Sequence, residues 1–234
     1  MDLIFTEEQN MLRDMTRSLC EKYSSVETVR AMENDPLGVD KDLWAQLGES
    51  GILSMRLPEE FGGMGLNMID CAVAYEELGR GLTPGPYFAS AVLALTAIAK
   101  GGSEAQKQEL LPLLGTGELV ITPAWLEPDN GYGAAGVQVR AVASSDGFVL
   151  NGVKRHVFYA AAADKLLVLA RTGDAEDAID LFLVARDAEG VELTQQLSMA
   201  SDTQYEVALN NVTVSEEDRL GEAGSGWACC KDSM

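Results

Sequence analysis

The spacing of apolar residues changes once along this chain, near Leu119, and no other feature constrains the fold as tightly. Before that point apolar residues recur at about 3.6, the helical period; after it they recur at about 2, the period of a strand. Thr6-Glu7-Glu8-Gln9 is a capping box in which the Thr6 hydroxyl takes an orphan amide and Gln9 reaches back. Leu12, Met15 and Leu19 then follow at helical spacing. Asp40 caps a second helix through Leu43, Trp44 and Leu47, stopping at Gly48, and Asn67 caps a third through Ile69, Ala72, Val73 and Leu78 to about Gly79. Residues 89–100 are apolar nearly all round, the pattern of a helix buried among others, and Gly101-Gly102 ends it. Ser103 opens a further capping box leading to Leu110, Leu111, Leu113 and Leu114 before Gly115. This half predicts an antiparallel helical bundle.

Beyond Leu119, residues 137–142 alternate, and Asp146-Gly147 carries hairpin chemistry because both residues tolerate positive φ. A second turn is expected at Asn151-Gly152. Further strands read over 165–171, 179–184, 191–194 and 205–214, with Asp, Gly and Ser between them. The expected class is α+β: an all-α helical domain over residues 1–118, then an antiparallel β-barrel or sandwich over 119–222, with 223–234 a short stub.

Charge and motif searches exclude several functions. With 37 acidic against 17 basic residues the net charge is −20, a field that repels phosphate backbones and anionic lipid, so nucleic acid is not an expected partner. The first residues are acidic where a secretory signal is basic, and no run reaches the roughly 20 apolar residues of a membrane span. Cys20, Cys71, Cys229 and Cys230 have no metal-type spacing and His156 is the one histidine, so no zinc site is expected and the thiols read as reduced, in the cytoplasm. There is no strand-borne G-x-G-x-x-G, Walker loop or G-x-S-x-G elbow. The turn over residues 61–65 (Phe-Gly-Gly-Met-Gly) reads as a flexible connection, and Glu59-Glu60, Glu76-Glu77 and Glu216-Glu217 read as solvated faces.

Five segments share an order and spacing that carry more than any one of them: residues 57–65 joining two helices, Glu76-Glu77-Leu78-Gly79-Arg80 closing the next, 118–136 with Glu127-Pro128 opening the strands, Leu150-Asn151-Gly152-Val153-Lys154, and 163–171. Together they resemble the acyl-CoA dehydrogenase family of flavoenzymes. That resemblance implies a helical domain, a middle β-domain and a carboxy-terminal four-helix bundle holding the glutamate base, of which this chain supplies the first two and reaches the third at residues 224–234. It implies FAD as cofactor, an acyl-CoA substrate undergoing α,β-desaturation, and homo- or hetero-oligomers of such subunits. No residue here is expected to be the catalytic base.

Carried over residue by residue, the family's flavin-contact stretches fall on Trp125 and Leu126, on Tyr132 (also a substrate contact), and on His156, Val157 and Phe158. These depart from the family's pattern. Leu126 and Phe158 stand where hydroxyls are usual, Tyr132 where a small serine is usual, and His156 where an indole is usual. Leu126 and Phe158 have no side-chain donor to offer. Two anionic ligands on an acidic chain also require local cations, for which Arg140, Lys154, Arg155 and Arg171 are candidates; the alternative for Lys154-Arg155 is an exposed pair guarding a strand edge. Residues 84–87 (Pro-Gly-Pro-Tyr) resemble family members from bacterial pathways for branched or polycyclic acyl-CoA substrates, some of which pair unlike subunits. The alternative to an active subunit is a non-catalytic or truncated relative that docks on a complete enzyme.

Overall fold

The computed structural model describes residues 4–128 and 131–233. Residues 1–3, 129–130 and 234, which belong to the three expected domains, lie outside the described residues.

Helix starts follow the caps, because a cap is a contact between a side chain and its own first turn. Thr6 accepts from the Gln9 amide at 3.2 Å while Gln9 Oε1 accepts from the Thr6 amide at 3.1 Å, opening α1 (Glu7–Tyr23). Asp40 opens α3 (Lys41–Glu49), Asn67 with Asp70 opens α4 (Met68–Arg80), and Ser103 with Gln106 opens α6 (Glu104–Thr116). Between α1 and α3 lies α2 (Val26–Met32), capped by Ser25 and burying none of its residues, so it leaves no apolar stripe to read. The expected stops at Gly48 and Gly115 are corrected, since both glycines lie inside their helices. A Cβ on Gly48 would collide with the Thr116 carbonyl, and one on Gly115 would come within 2.8 Å of Leu57. These glycines mark close packing rather than helix ends. The expected helix over 89–100 is also divided: residues Phe88–Ala94 wind as a π-helix before α5 (Leu95–Gly101).

Two readings of the helical half change. Glu77 is 4% exposed rather than solvated, and Arg17 reaches it with two hydrogen bonds of 2.9 and 2.6 Å that tie α1 to α4 and hold its carboxyl below the usual range. The turn at residues 61–65 is fastened back on the preceding segment, with Gly65 N donating to Leu57 O and Met64 N to Ser54 O.

The second half is one eight-stranded sheet: β1 (Ile121–Ala124), β2 (Arg140–Ser144), β3 (Gly147–Phe158), β4 (Lys165–Arg171), β5 (Ile179–Ala185), β6 (Val191–Gln196), β7 (Gln204–Val214) and β8 (Arg219–Leu220). The order is β6-β7-β3-β2-β4-β5-β8, with β1 beside β4. The sheet is mixed rather than antiparallel throughout, since β4 meets both β1 and β2 in parallel, and it does not close into a barrel. On β4, alternate residues serve two cores: Leu166, Val168 and Ala170 join one cluster, Leu167 and Leu169 the other. The first core reaches across to β3 and β7, and within it the rings of Phe148 on β3 and Phe182 on β5 stand 5.1 Å apart. The second is roofed by α5, α6 and a final helix, α7 (Gly226–Ser233), which bonds α5 through Cys229 Sγ to Ala97 O at 3.2 Å.

The expected turn at Asn151-Gly152 is absent, and β3 runs straight through it as a bulge between Leu150 and Gly152. Gly152 takes φ 142° against Val139, which reproduces the local chemistry of a hairpin without the reversal. A second irregularity, between Lys154 and Val157, puts His156 at φ 53°.

Candidate functional site

Where the π-helix meets β1 and the end of β3, the two halves of the chain enclose a cavity of about 570 Å³. That lies within the range of about 300–1,000 Å³ usual for small-molecule sites. The helical wall is Gly85 to Ala89 and Leu93; the β wall includes Trp125, Leu126, Tyr132, His156 and Phe158; Trp227 and Cys230 of α7 close one side. Five of the six positions carried over from the family resemblance are thus brought to one cavity. The sixth, Val157, is turned away: its side chain is 1% exposed and sits in the first core, so at most its backbone faces a ligand.

The bulge explains this division. Counted by twos from Leu150, which faces the first core, regular alternation would send His156 and Phe158 to that core and Val157 away from it; the extra residue between Lys154 and Val157 reverses the phase. His156 is held in its left-handed conformation by Gln196, which accepts from its amide at 3.1 Å, and its Nδ1 lies 3.2 Å from Gln204 Oε1.

The four candidate cations are placed otherwise than expected. Lys154 is 0% exposed and belongs to an interior strand, so it is neither a phosphate contact nor an edge guard. Its ammonium donates to Glu127 Oε1 at 2.7 Å and to the Trp125 carbonyl at 3.3 Å. Glu127 in turn accepts from the Gln138 and Val139 amides, so one buried ion pair ties both ends of the 125–139 loop. Burial pushes the Lys154 ammonium down to about 8, against the opposing pull of Glu127. Arg171 is buried and donates to the carbonyls of Ala134, Val137 and Ala175, bracing the same loop. Arg155 pairs with Glu206 at 2.9 Å and Arg140 with Asp174 at 3.2 Å. Of the four, Arg155 alone lines the cavity.

The cavity's own chemistry suits a flat, mostly apolar ring with a polar edge. Its aromatic side chains offer stacking faces. The indole nitrogen of Trp125 is shut off from solvent and has no hydrogen-bond partner, a donor left open in the protein alone. These residues fit a flavin ring. Among the described residues no Asp or Glu lines the cavity, and no cluster of His, Cys, Asp and Glu is arranged to hold a metal. No helix among the described residues is long and apolar enough to cross a membrane.

Sequence reasoning missed the Glu127–Lys154 pair, Tyr159, and the contributions of Trp227 and Cys230. Tyr159, at φ 52°, accepts from Gly85 N at 3.2 Å and so pins the two walls together. Glu127 and Lys154 were visible as motif residues, but nothing local marks them as a pair.

Comparison with known proteins agrees with this architecture. The chain is 30% identical over 237 residues to a probable acyl-CoA dehydrogenase, YngJ, of Bacillus subtilis; the match takes in 97% of this chain and 61% of the relative. In structure it matches the ChsE4–ChsE5 complex from Mycobacterium tuberculosis with a TM-score of 0.87 at 26% identity, covering 99% of this chain and 60% of that one. It also matches an acyl-CoA dehydrogenase from Bacillus anthracis complexed with FAD, with a TM-score of 0.84 at 26% identity, covering 98% of this chain and 41% of that one. The chain therefore spans no more than about three-fifths of the relatives it matches. Two family models account for most of its length, and by them the chain belongs to the acyl-CoA dehydrogenase family, matching "Acyl-CoA dehydrogenase, N-terminal domain" over residues 6–118 and "Acyl-CoA dehydrogenase, middle domain" over 123–212.

Proposed function

We propose that this chain is the flavin-bearing part of an acyl-CoA dehydrogenase, acting in the cytoplasm in α,β-desaturation of an acyl-CoA thioester. The observation that carries the reading is the apolar cavity between the helical wall and the β wall, where Trp125, Leu126, Tyr132, His156 and Phe158 converge. Bound FAD supplies the hydride acceptor for the β hydrogen. The β wall presents ring faces and backbone to the flavin, Tyr132 reaches toward the substrate, and the π-helix wall excludes water from the acyl chain. Removing the α proton needs a carboxylate on the opposite side, and among the described residues the cavity lining has none. That base comes from residues beyond this chain, either a longer product of the same gene or a partner subunit of the same family.

A second reading, a non-catalytic subunit that docks on a complete enzyme, draws on Leu126 and Phe158, which give the β wall no hydroxyl donors. One experiment separates the two. The FAD-loaded chain is mixed anaerobically with acyl-CoA, alone and with a flavin-free acyl-CoA dehydrogenase subunit that keeps its glutamate base, and the visible flavin band is followed. Bleaching in the mixture but not with the chain alone supports the dehydrogenase reading. No bleaching under any pairing, with the chain stably associated, supports the docking subunit.

A further inference from the structure

Three indoles occur in the chain, and the environment of one differs from that of another. Trp44 donates its Nε1–H to Gly117 O at 2.9 Å, as a buried indole ordinarily does. Trp125 Nε1 is equally cut off from solvent and donates to nothing. Buried donors without partners are rare and carry a free-energy cost in the empty protein. The backbone around Trp125 is firmly held, its carbonyl by Lys154 Nζ at 3.3 Å and the next carbonyl, of Leu126, by Arg155 N at 2.9 Å. The side chain has no polar tether, is only partly buried, and borders the cavity. Its neighbours on that wall leave the role open: Leu126 and Phe158 have no donor, His156 Nδ1 faces Gln204, and Arg155 is paired with Glu206.

We infer that the Trp125 indole N–H is held for the ligand: when a flavin ring enters the cavity the indole turns and donates to an acceptor on the ring's polar edge. The inference rests on the proposed function, because it takes the flavin as occupant. It makes two effects run in opposite directions. Trp125→Phe removes the orphan donor, so the melting temperature of the chain without ligand stays level or rises, while FAD affinity falls about tenfold, the worth of one hydrogen bond in a dry site. A Trp125 that serves only as core filling gives the reverse, a lower melting temperature and unchanged affinity.

The test uses the full chain labelled with ¹⁵N, FAD as the probe, and the indole N–H resonances, with Trp125→Phe assigning the relevant one. The expected result is a downfield displacement of the Trp125 indole proton on FAD addition, together with the two opposed effects of the substitution. FAD binding to both proteins with equal affinity and an unmoved indole resonance overturns this inference and leaves the proposed function standing. FAD binding to neither overturns the proposed function and this inference with it.

Discussion

Ser90 joins the two halves of the chain at the cavity, and replacing it tests whether that seam is built as described. Ser90 lies in the π-helix and is 1% exposed; its hydroxyl accepts from the amide of Ile121, the first residue of β1, at 3.3 Å. Ile121 is 0% exposed, and in the parallel pairing of β1 with β4 its amide points away from the sheet, toward the helix. Ser90→Ala keeps the side chain small enough to fit and leaves that amide buried without a partner. An orphaned buried donor costs about 1–3 kcal/mol, and the 3.3 Å length puts this bond in the lower part, about 1–2 kcal/mol. For a chain of this size each kcal/mol corresponds to about 2–4 °C, so the melting temperature should fall by about 2–8 °C in calorimetry. Ser18→Ala is the control, since Ser18 bonds the Asp14 carbonyl on an exposed face of α1 and its loss should stay within about 0.5 kcal/mol. If Ser90→Ala melts with the wild type, or no lower than Ser18→Ala, the hydrogen bond across the seam does not hold the cavity walls together.

Lys154→Met should destabilise the chain by about 3–5 kcal/mol in urea titrations, because Glu127 is left charged and buried, and the double change with Glu127→Gln should recover most of that. Since burial lowers Lys154 to about 8, the unfolded chain binds more protons than the folded one from about pH 8 up to the ordinary lysine value. Stability from this group therefore rises with pH across that window, and a flat profile in wild type would contradict its burial. All four cysteines are free and buried, and burial raises each thiol, Cys230 to about 12. The native chain should leave a thiol reagent unreacted at pH 8 and react with four equivalents in guanidinium; fast native labelling of any thiol refutes the packing of α1, α4 or α7. Gly136→Ala puts a Cβ into the Gly131 carbonyl and should loosen the loop over the cavity, weakening FAD binding more than it lowers the melting temperature.

Which of these features the sequence discloses follows from the range of the interactions that fix them. Helix starts at Thr6, Asp40, Asn67 and Ser103 are legible because cap and first turn are neighbours in the chain. Gly48 and Gly115 look like stops, yet they are contacts between helices, which local chemistry cannot distinguish. Asn151-Gly152 has hairpin residues in both outcomes, and pairing with β7, some 60 residues away, is what keeps β3 extended. The parallel placement of β1 and β2 on β4 is likewise decided by tertiary packing. The site is legible only in part. Ordered motifs gather Trp125, Leu126, Tyr132, His156 and Phe158, but the burial of Lys154 depends on Glu127 across 27 positions, and the turning inward of Val157 depends on a bulge.

Equilibrium binding of FAD shows whether the cavity between the two halves takes a flavin ring, as proposed. Flavin fluorescence is titrated with the wild-type chain and with Ala89→Trp, which fills the helical wall where Ala89 lines the cavity. The expected result is one FAD bound per wild-type chain and loss of that binding in Ala89→Trp, with the fold intact by circular dichroism. Equal binding by both proteins, or no binding by the wild type, would contradict it.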